Sequence, residues 1–448
     1  MFASACETLI SNHDGPWHRD CHPLRLGHVS RSWRQAAWGT SELWRTVILP
    51  LGSMASFLEI EGLLTDWLER AKEYPLDIWI QFPWRSNSRH GSKALSGILL
   101  ALKKCCGRWR TIDFRLTPAF AEIFQTEDLQ AFVNPFSNGL WLPRLVSLSF
   151  HSQGLESVDE SLALDFQNAP NLRELYINKT ITRNDTALPT CLQVPHRLIR
   201  RLTCFECPRL QLHAILATFP DLEELEFKKD LELARRPNMI TIHRQLKTIS
   251  VTFADDDTRA FFSPLVILPA LKSIRIKTFF SMRYSNMLKS FLGHSQALLT
   301  SLHLESTEFE EEDLIATLNL IPSLTHLIIH IANYPDNVYS EKAVLGQVFF
   351  QRLDPNHGGL FLPCLEEFEY QGGLIVNSIR FLEPFILRSQ VGLSYAQLRS
   401  VKIRADQQSG IRKLSIAEYF DPQYIWEVLT MIDSGRLVLE NGKRQRWS

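Results

Sequence analysis

The sequence predicts an α/β repeat fold in which short strands and returning helices stack one unit on the next, preceded by a small all-α head. Three observations point there. An apolar spacing pattern returns about every 25 residues beyond position 140, proline stands at a fixed place ahead of many copies, and nine of the eleven tryptophans precede residue 142. The first two define the repeats and the third sets the amino-terminal region apart from them.

Composition sets the outer limits. With 448 residues, 45% hydrophobic and 22% charged, the chain has the apolar content of a folded protein rather than of a disordered one. Forty-eight Lys and Arg against forty-nine Asp and Glu give a formal charge of -1, which argues against nucleic acid as a bulk partner. No apolar run approaches the ~18–20 residues needed to cross a bilayer, Ile98 to Leu102 being the nearest. Met1 to Glu7 lacks the basic start and apolar core of a secretory signal. The expectation is a soluble protein of the cytoplasm, the nucleus or both, with no membrane partner. Eight cysteines, at 6, 21, 105, 106, 191, 204, 207 and 364, are too scattered for a disulfide framework and read as reduced thiols.

Residues 1–50 form the head. Between His22 and Ile48 stand Leu24, Leu26, Val29, Trp33, Leu43 and Trp44, more apolar area than so short a segment can bury by itself. Such a patch marks an interface, where each large side chain contributes roughly 1.5–3 kcal/mol gross. Residues 51–140 follow as a linker helix and the amino-terminal cap of the repeats. Leu63, Leu64, Trp67 and Leu68 share one helical face, with Glu69, Arg70 and Lys72 toward solvent. Pro75 to Phe82 alternates as a strand does, and Trp109-x-x-Ile112-x-Phe114 carries the repeat spacing with Trp in first place.

Residues 141–405 hold the repeats, each headed apolar-x-x-apolar-x-apolar. The heads are Leu145-Leu148-Phe150, Leu172-Leu175-Ile177, Ile199-Leu202-Cys204, Leu222-Leu225-Phe227 and Leu246-Ile249-Val251. They continue with Leu271-Ile274-Ile276, Leu299-Leu302-Leu304, Leu324-Leu327-Ile329, Leu365-Phe368-Tyr370 and Leu398-Val401-Ile403. First positions are separated by 27, 27, 23, 24, 25, 28, 25, 41 and 33 residues. A 20–29-residue period with this head is the signature of leucine-rich repeats, which stack into a horseshoe-shaped solenoid because no unit closes its own core. The last two apolar positions are two apart and share a strand face. Segments such as Gln211 to Phe219 and Glu312 to Leu318 have helical spacing and end ahead of Pro220 and Pro322. The two long intervals imply insertions around Asn333–Asn337 and Asp354–Gly359, expected as loops on one rim. Residues 406–448 are a carboxyl-terminal cap and basic tail, with a helix from Pro422 to Asp433, a last strand at Arg436–Glu440, and Lys443 to Arg446 in solvent.

One further motif lies in the head. Val29-Ser30-Arg31-Ser32-Trp33-Arg34, then Ala36 and Ala37 in a small-residue helix, then Thr40-Ser41-Glu42-Leu43-Trp44, resembles the second half of an F-box of the kind found in large fungal families. The resemblance covers about 27 residues. Ser30 stands where that family usually has Cys, and the Leu-Pro opening helix does not precede Leu24. F-box followed by leucine-rich repeats is a recurrent pairing. It implies a substrate-recognition subunit of a cullin-RING (SCF-type) ubiquitin ligase, not itself an enzyme and without cofactors. Leu24, Leu26, Val29, Trp33, Leu43 and Trp44 would dock on a Skp-type adaptor, and through it a cullin, while the repeats hold a target protein for degradation. The alternative implied by the missing opening helix is a repeat scaffold with a degenerate box and no ligase role.

Strand residues between the apolar positions point to the other, concave face and alternate acid, base and aromatic groups. That mosaic suits a protein target better than a polyanion, which favours a continuous basic stripe. Tyr176, Phe205, Arg275, His303, His326 and His330 are the candidate target contacts. Chemistry offers no competing reading. Cys204 and Cys207 have C-x-x-C spacing without a second pair. Cys6, Cys21, His18 and His22 have no established ligand spacing, and His18-Arg19-Asp20 lacks the other kinase motifs. No Walker loop, G-x-S-x-G elbow or H-E-x-x-H helix occurs. The acids from Glu308 to Asp313 read as a helix start favoured by its dipole.

Overall fold

The computed structural model describes residues 23–50, 57–81, 90–116, 141–152, 164–178, 192–205, 212–228, 240–253, 265–278, 285–305, 309–331, 344–356, 360–375, 379–389, 395–405 and 422–441. The chain divides into two compact α/β units, Met1–Arg209 and Leu210–Ser448, each built on a parallel sheet. The division falls among the repeats.

In the first unit, helices α1 (Pro23–Val29) and α2 (Arg31–Gly39) make a corner at Ser30. The Ser30 hydroxyl accepts from the Trp33 amide at 3.2 Å and caps α2, while Arg34 Nε donates to the Gly27 carbonyl at 2.9 Å. A 3-10 turn over Ser41–Trp44 leads into β1 (Thr46–Pro50). Next come α3 (Phe57–Arg70), β2 (Leu76–Gln81), α4 (His90–Lys104), β3 (Trp109–Leu116) and β4 (Ser147–Ser152). The unit continues through β5 (Leu164–Asp165), β6 (Glu174–Asn178), β7 (Leu192–Gln193) and β8 (Arg201–Phe205). The main sheet runs β1-β2-β3-β4-β6-β8, all parallel, and β5 pairs separately with β7. Because β1 pairs with β2, the sheet begins at Thr46, inside the segment assigned to the head.

Register explains the core. Ile78, Ile112, Leu148, Leu175 and Leu202 stand side by side, as do Ile80, Phe114, Phe150, Ile177 and Cys204, and all are buried. Cys204 thus fills a core position as a small apolar side chain, and it is in no disulfide.

The second unit begins with α5 (Leu212–Thr218), β9 (Glu224–Lys228), β10 (Thr241–Ile242), β11 (Thr248–Phe253), β12 (Val266–Ile267) and β13 (Ser273–Thr278). It continues with α6 (Ser285–Ser295), β14 (Ser301–Glu305), α7 (Glu311–Leu318), β15 (His326–His330), β16 (Val344–Gly346) and α8 (Gln347–Leu353). It closes on β17 (Glu367–Ile375), α9 (Glu383–Ser389), β18 (Ser400–Ala405), α10 (Pro422–Asp433) and β19 (Leu437–Asn441). The order β9-β11-β13-β14-β15-β17-β18-β19 is parallel throughout, with β16 beside the end of β17 and β10 paired with β12. One buried ladder passes through Leu225, Ile249, Ile274, Leu302, Leu327, Phe368, Val401 and Leu437, and a second lies two residues on. Helices α6, α7, α8, α9 and α10 pack each on the next. Phe349 of α8 and Phe385 of α9 stack on Phe368 of β17 at 5.8 and 5.4 Å.

All ten repeat heads end in these parallel strands, and the prolines ahead of them have a shared cause. The amides of Leu145, Leu172, Leu222, Leu271, Leu324 and Leu365 each donate to the carbonyl three residues back, closing a turn with proline second. Proline's fixed φ suits that place, and its missing N–H costs nothing there. The long interval before Leu365 is not all loop. Residues 332–343 lie outside the described part, but β16 and α8 together occupy residues 344–353, and Asp354 accepts from the Asn356 amide in a local turn. The basic tail and His18 to His22 also lie outside the described residues.

Candidate functional site

In the head, the candidate interface residues divide. Val29 is 66% exposed and Trp33 53%, while Leu24, Leu26 and Leu43 are half-buried. Trp44 is completely buried and offers no surface. Its indole donates to the Ala37 carbonyl at 2.8 Å and stands edge-on to Trp67 at 4.7 Å, and Trp67 Nε1 donates to the Trp44 carbonyl at 2.7 Å. The Arg70 guanidinium lies 4.8 Å from the Trp44 ring and 5.1 Å from Trp38. Trp44 is thus the residue that ties the head to α3, and a partner cannot use it. Trp38, which the sequence reading passed over, is 47% exposed on the α2 side of the same region. The signal was present, since one short helix carries two tryptophans.

The polar face of the first unit gathers around two carboxylates. Asp77 is buried and receives two hydrogen bonds from Arg110, one from Nε at 2.8 Å, and one from the Thr111 hydroxyl at 2.8 Å. That bidentate grip holds the Arg110 guanidinium above its ordinary range. Asp113 lies 3.3 Å from Arg115 Nε and 3.5 Å from His151 Nε2. Asn178 Nδ2 donates to His151 Nδ1 at 3.1 Å, which leaves the ring proton on Nε2, toward Asp113. Tyr176 rests against the His151 ring at 5.0 Å. Phe205, half-buried on β8, stands level with Asn178 rather than with Tyr176.

The second unit brings Arg275, His303 and His330 together on the adjacent strands β13, β14 and β15, in a network that reaches Glu369 on β17. Arg275 donates to Glu305 at 2.9 Å, and Lys277 bonds the other oxygen of that carboxylate. The His303 and His330 rings meet edge to face at 5.3 Å. His330 Nε2 bonds Glu369 at 3.0 Å, Lys402 and Arg404 approach the same carboxylate at 3.6 and 3.5 Å, and Arg404 continues to Glu440 at 2.7 Å. His326 sits to one side, 3.6 Å from Glu367. Tyr176 and Phe205 belong to the other unit.

Electrostatics follow from the packing. Partial burial alone raises the Glu305 carboxyl, but hydrogen bonds from Lys277 and Arg275 outweigh it and hold the group below the usual carboxylate range. Glu369 behaves likewise, with His330, Lys402 and Arg404 supplying the opposing pull. At His303 the pull of Glu305 and Glu369 is too weak to offset burial. Burial, reinforced by Arg275 and His330, pushes it down to about 4, and its Nε2 is buried without a hydrogen-bond partner. It is a neutral imidazole at neutral pH.

Sequence reasoning singled out Arg275 and the histidines of this face but not Lys277, Lys402 and Arg404 or the partners Glu305, Glu369 and Glu440. The shared strand face of Glu305 and Glu369, both set between or beyond the apolar positions of their repeat heads, was the signal that joins them. Among the described residues no group of three His, Cys, Asp or Glu is placed to hold a metal ion, and no helix is long and apolar enough to cross a membrane. What such a surface can do is present fixed charges and hydrogen-bonding groups to another molecule. No protein-family model matches the chain, and no curated protein matches it.

Proposed function

We propose that this chain is a non-enzymatic recognition subunit of an SCF-type ubiquitin ligase. Its F-box-like head docks on a Skp-type adaptor and its leucine-rich-repeat solenoid holds a target protein on the polar strand face. The observation that carries the reading is the exposed apolar surface of the α1–α2 corner, with Val29, Trp33 and Trp38 turned to solvent on a segment that resembles an F-box. Large exposed side chains clustered on so small a head suit an interface whose energy rests on a few anchors. The in-register ladders of both units support the solenoid, since each strand's apolar face is covered only by stacking on its neighbours.

The test is capture of a purified Skp-type adaptor by the full chain. Wild type is expected to retain the adaptor, and Trp33→Ala to weaken it about 30-fold, the equivalent of an anchor worth about 2 kcal/mol. Adaptor retained equally by wild type and by a Val29→Asp, Trp33→Ala double variant would sink the docking assignment. A second reading, a repeat scaffold without ligase role, is favoured by one observation: Trp44 is turned inward against Trp67 and cannot reach a partner. Failure of wild type to capture the adaptor selects it.

A further inference from the structure

On the polar face of the second unit the cations lie outside the carboxylates they pair with. The Arg275 side chain is 51% exposed and Lys277 34%, over Glu305 at 19%. Lys402 is 45% exposed and Arg404 32%, over Glu369 at 21% and Glu440 at 17%. Four cations thus stand outside the three recessed acids they pair with, while Glu367, beside His326 on β17, is 54% exposed at one side of the face. Every carboxylate in this set is already engaged by two or more cationic side chains or by Arg404, whereas the outer faces of the cations remain in solvent.

The cations stand in two pairs. Arg275 and Lys277 lie on β13, Lys402 and Arg404 on β18, and β14, β15 and β17 separate them. Four strand-to-strand steps at about 4.8 Å place the pairs about 19 Å apart. Midway, in register with His303 and Glu369, stands Ile328, half-buried and, among the described side chains, the one aliphatic on this face of β14, β15 and β17. An extended peptide rises about 3.3 Å per residue, so about six residues span the distance between the pairs.

We infer that this face binds an extended acidic segment of a protein, with two Asp/Glu clusters about six residues apart and an apolar residue between them. The inference rests on the reading of the polar face as the target-binding surface, and it narrows that reading to one class of segment. Acid clusters meet the two basic pairs, and the central apolar side chain covers Ile328. His303, whose Nε2 has no hydrogen-bond partner and whose imidazole is neutral, stands beside Ile328 in register on β14. A polyanion with evenly spaced charge gains nothing from the aliphatic centre and is the weaker fit.

The probe is a fluorescein-labelled 12-residue peptide with an Asp-Glu pair near each end, six residues apart, and one Leu between, titrated against the full chain by anisotropy at low and moderate salt. Binding is expected, weakening as salt rises. Moving the pairs to within two residues of each other, or replacing the acids by Gln, is expected to cost at least tenfold. Arg275→Gln with Lys402→Gln is expected to cost a similar factor, and Ile328→Glu to abolish binding while far-UV circular dichroism stays unchanged. Ile328→Glu also guards against misfolding in the first variant, because it leaves every ion pair in place. No binding of the peptide, equal binding of the closely spaced peptide, or equal competition by duplex DNA overturns the inference. Adaptor capture by the same preparation is read separately: adaptor retained with no peptide bound refutes the acidic-segment inference alone, and no adaptor retained refutes the ligase reading while the peptide result still decides this one.

Discussion

Arg388 is an example of a charge that the fold uses where no sequence pattern marks it. It is 2% exposed, and its three nitrogens donate to carbonyls: Nε to Leu353 at 2.7 Å, Nη1 to Leu362 at 2.8 Å and Nη2 to Phe361 at 2.5 Å. Leu353 ends α8, whose last carbonyls have no intrahelical partner, and Leu362 holds a left-handed φ of 47°. The guanidinium also faces the Tyr395 ring at 4.4 Å. Burial lowers its pKa to about 10, still far enough above neutrality for it to stay charged. Replacement by Met leaves the Leu353 and Phe361 carbonyls without this donor, while Leu362 keeps the Leu365 amide, and at about 1–3 kcal/mol for each orphaned group a loss of at least about 2 kcal/mol is expected in urea unfolding. Arg388→Lys should recover less than half, because an ammonium does not reproduce the planar fork. A loss below about 1 kcal/mol for Met would show that water reaches those carbonyls. Cys204 was legible in the sequence because its place in a repeat defines its face. Arg388 was not, since its partners are backbone atoms 26 to 35 residues away. Trp44 illustrates the opposite error: a large apolar residue in a polar stretch reads as surface until Trp67 is seen to cover it.

The strands were legible because one rule generates them all. Two apolar residues two apart give the buried face at all ten heads, and at six of them a turn-closing proline also marks the strand start, which is why the heads coincide with parallel strands. The helix of Pro422–Asp433 was equally plain, with its proline at the first turn. The insertion before β17 was harder, because its two elements are held by contacts distant in sequence. Glu311, at the start of α7, accepts from the amides of Gly346 and Phe349 at 2.9 and 2.8 Å and so caps α8 from a neighbouring helix. A side chain at Gly346 would bring its Cβ within 2.6 Å of that carboxylate, so glycine there lets the cap approach. Two other helix ends depart from the usual chemistry. Lys72, just beyond α3, and Gln296, just beyond α6, adopt φ of 47° and 49° and are exposed. Both occupy the left-handed position after a helix that glycine normally fills. Lys72→Gly and Gln296→Gly are each expected to stabilise by about 0.5–1 kcal/mol, the strain removed exceeding the added chain freedom. Thermal melts that move down for both would show that the side chains contribute more than the strain they carry.

For the molecule as a whole, a formal charge of -1 conceals local charge whose cost depends on pH, and in the second unit three groups push in one direction. His303 is held at about 4 when folded, against about 6.5 in an unfolded chain. Between those values the unfolded state takes a proton that the folded state refuses, so stability present above pH 6.5 is lost as pH falls toward 4. Each tenfold change in proton affinity corresponds to about 1.4 kcal/mol, and solvent reaching part of the ring reduces the full effect to about 1–2 kcal/mol. Glu305 and Glu369 also have lowered folded values, so their contribution is present above the unfolded carboxylate range and is lost below about pH 4.5. Acid should therefore act in two stages, first through His303 and then through the carboxylates. The groups facing His303 are Arg275 on β13, Glu305 on its own strand, His330 on β15 and Glu369 on β17, so the first stage depends on how they are disposed around the ring. His303→Phe keeps the ring contact with His330 and removes both the orphaned nitrogen and the titration. In melts from pH 7 to 5 it is expected to be at least as stable as wild type and to lose less stability on acidification, while the steep loss below pH 4.5 persists. Glu305→Gln should do the reverse, flattening only the lower stage. Equal slopes for wild type and His303→Phe between pH 7 and 5 would mean that the ring at 303 is open to solvent, and the ladder of charges across β13 to β18 would then lack its neutral centre.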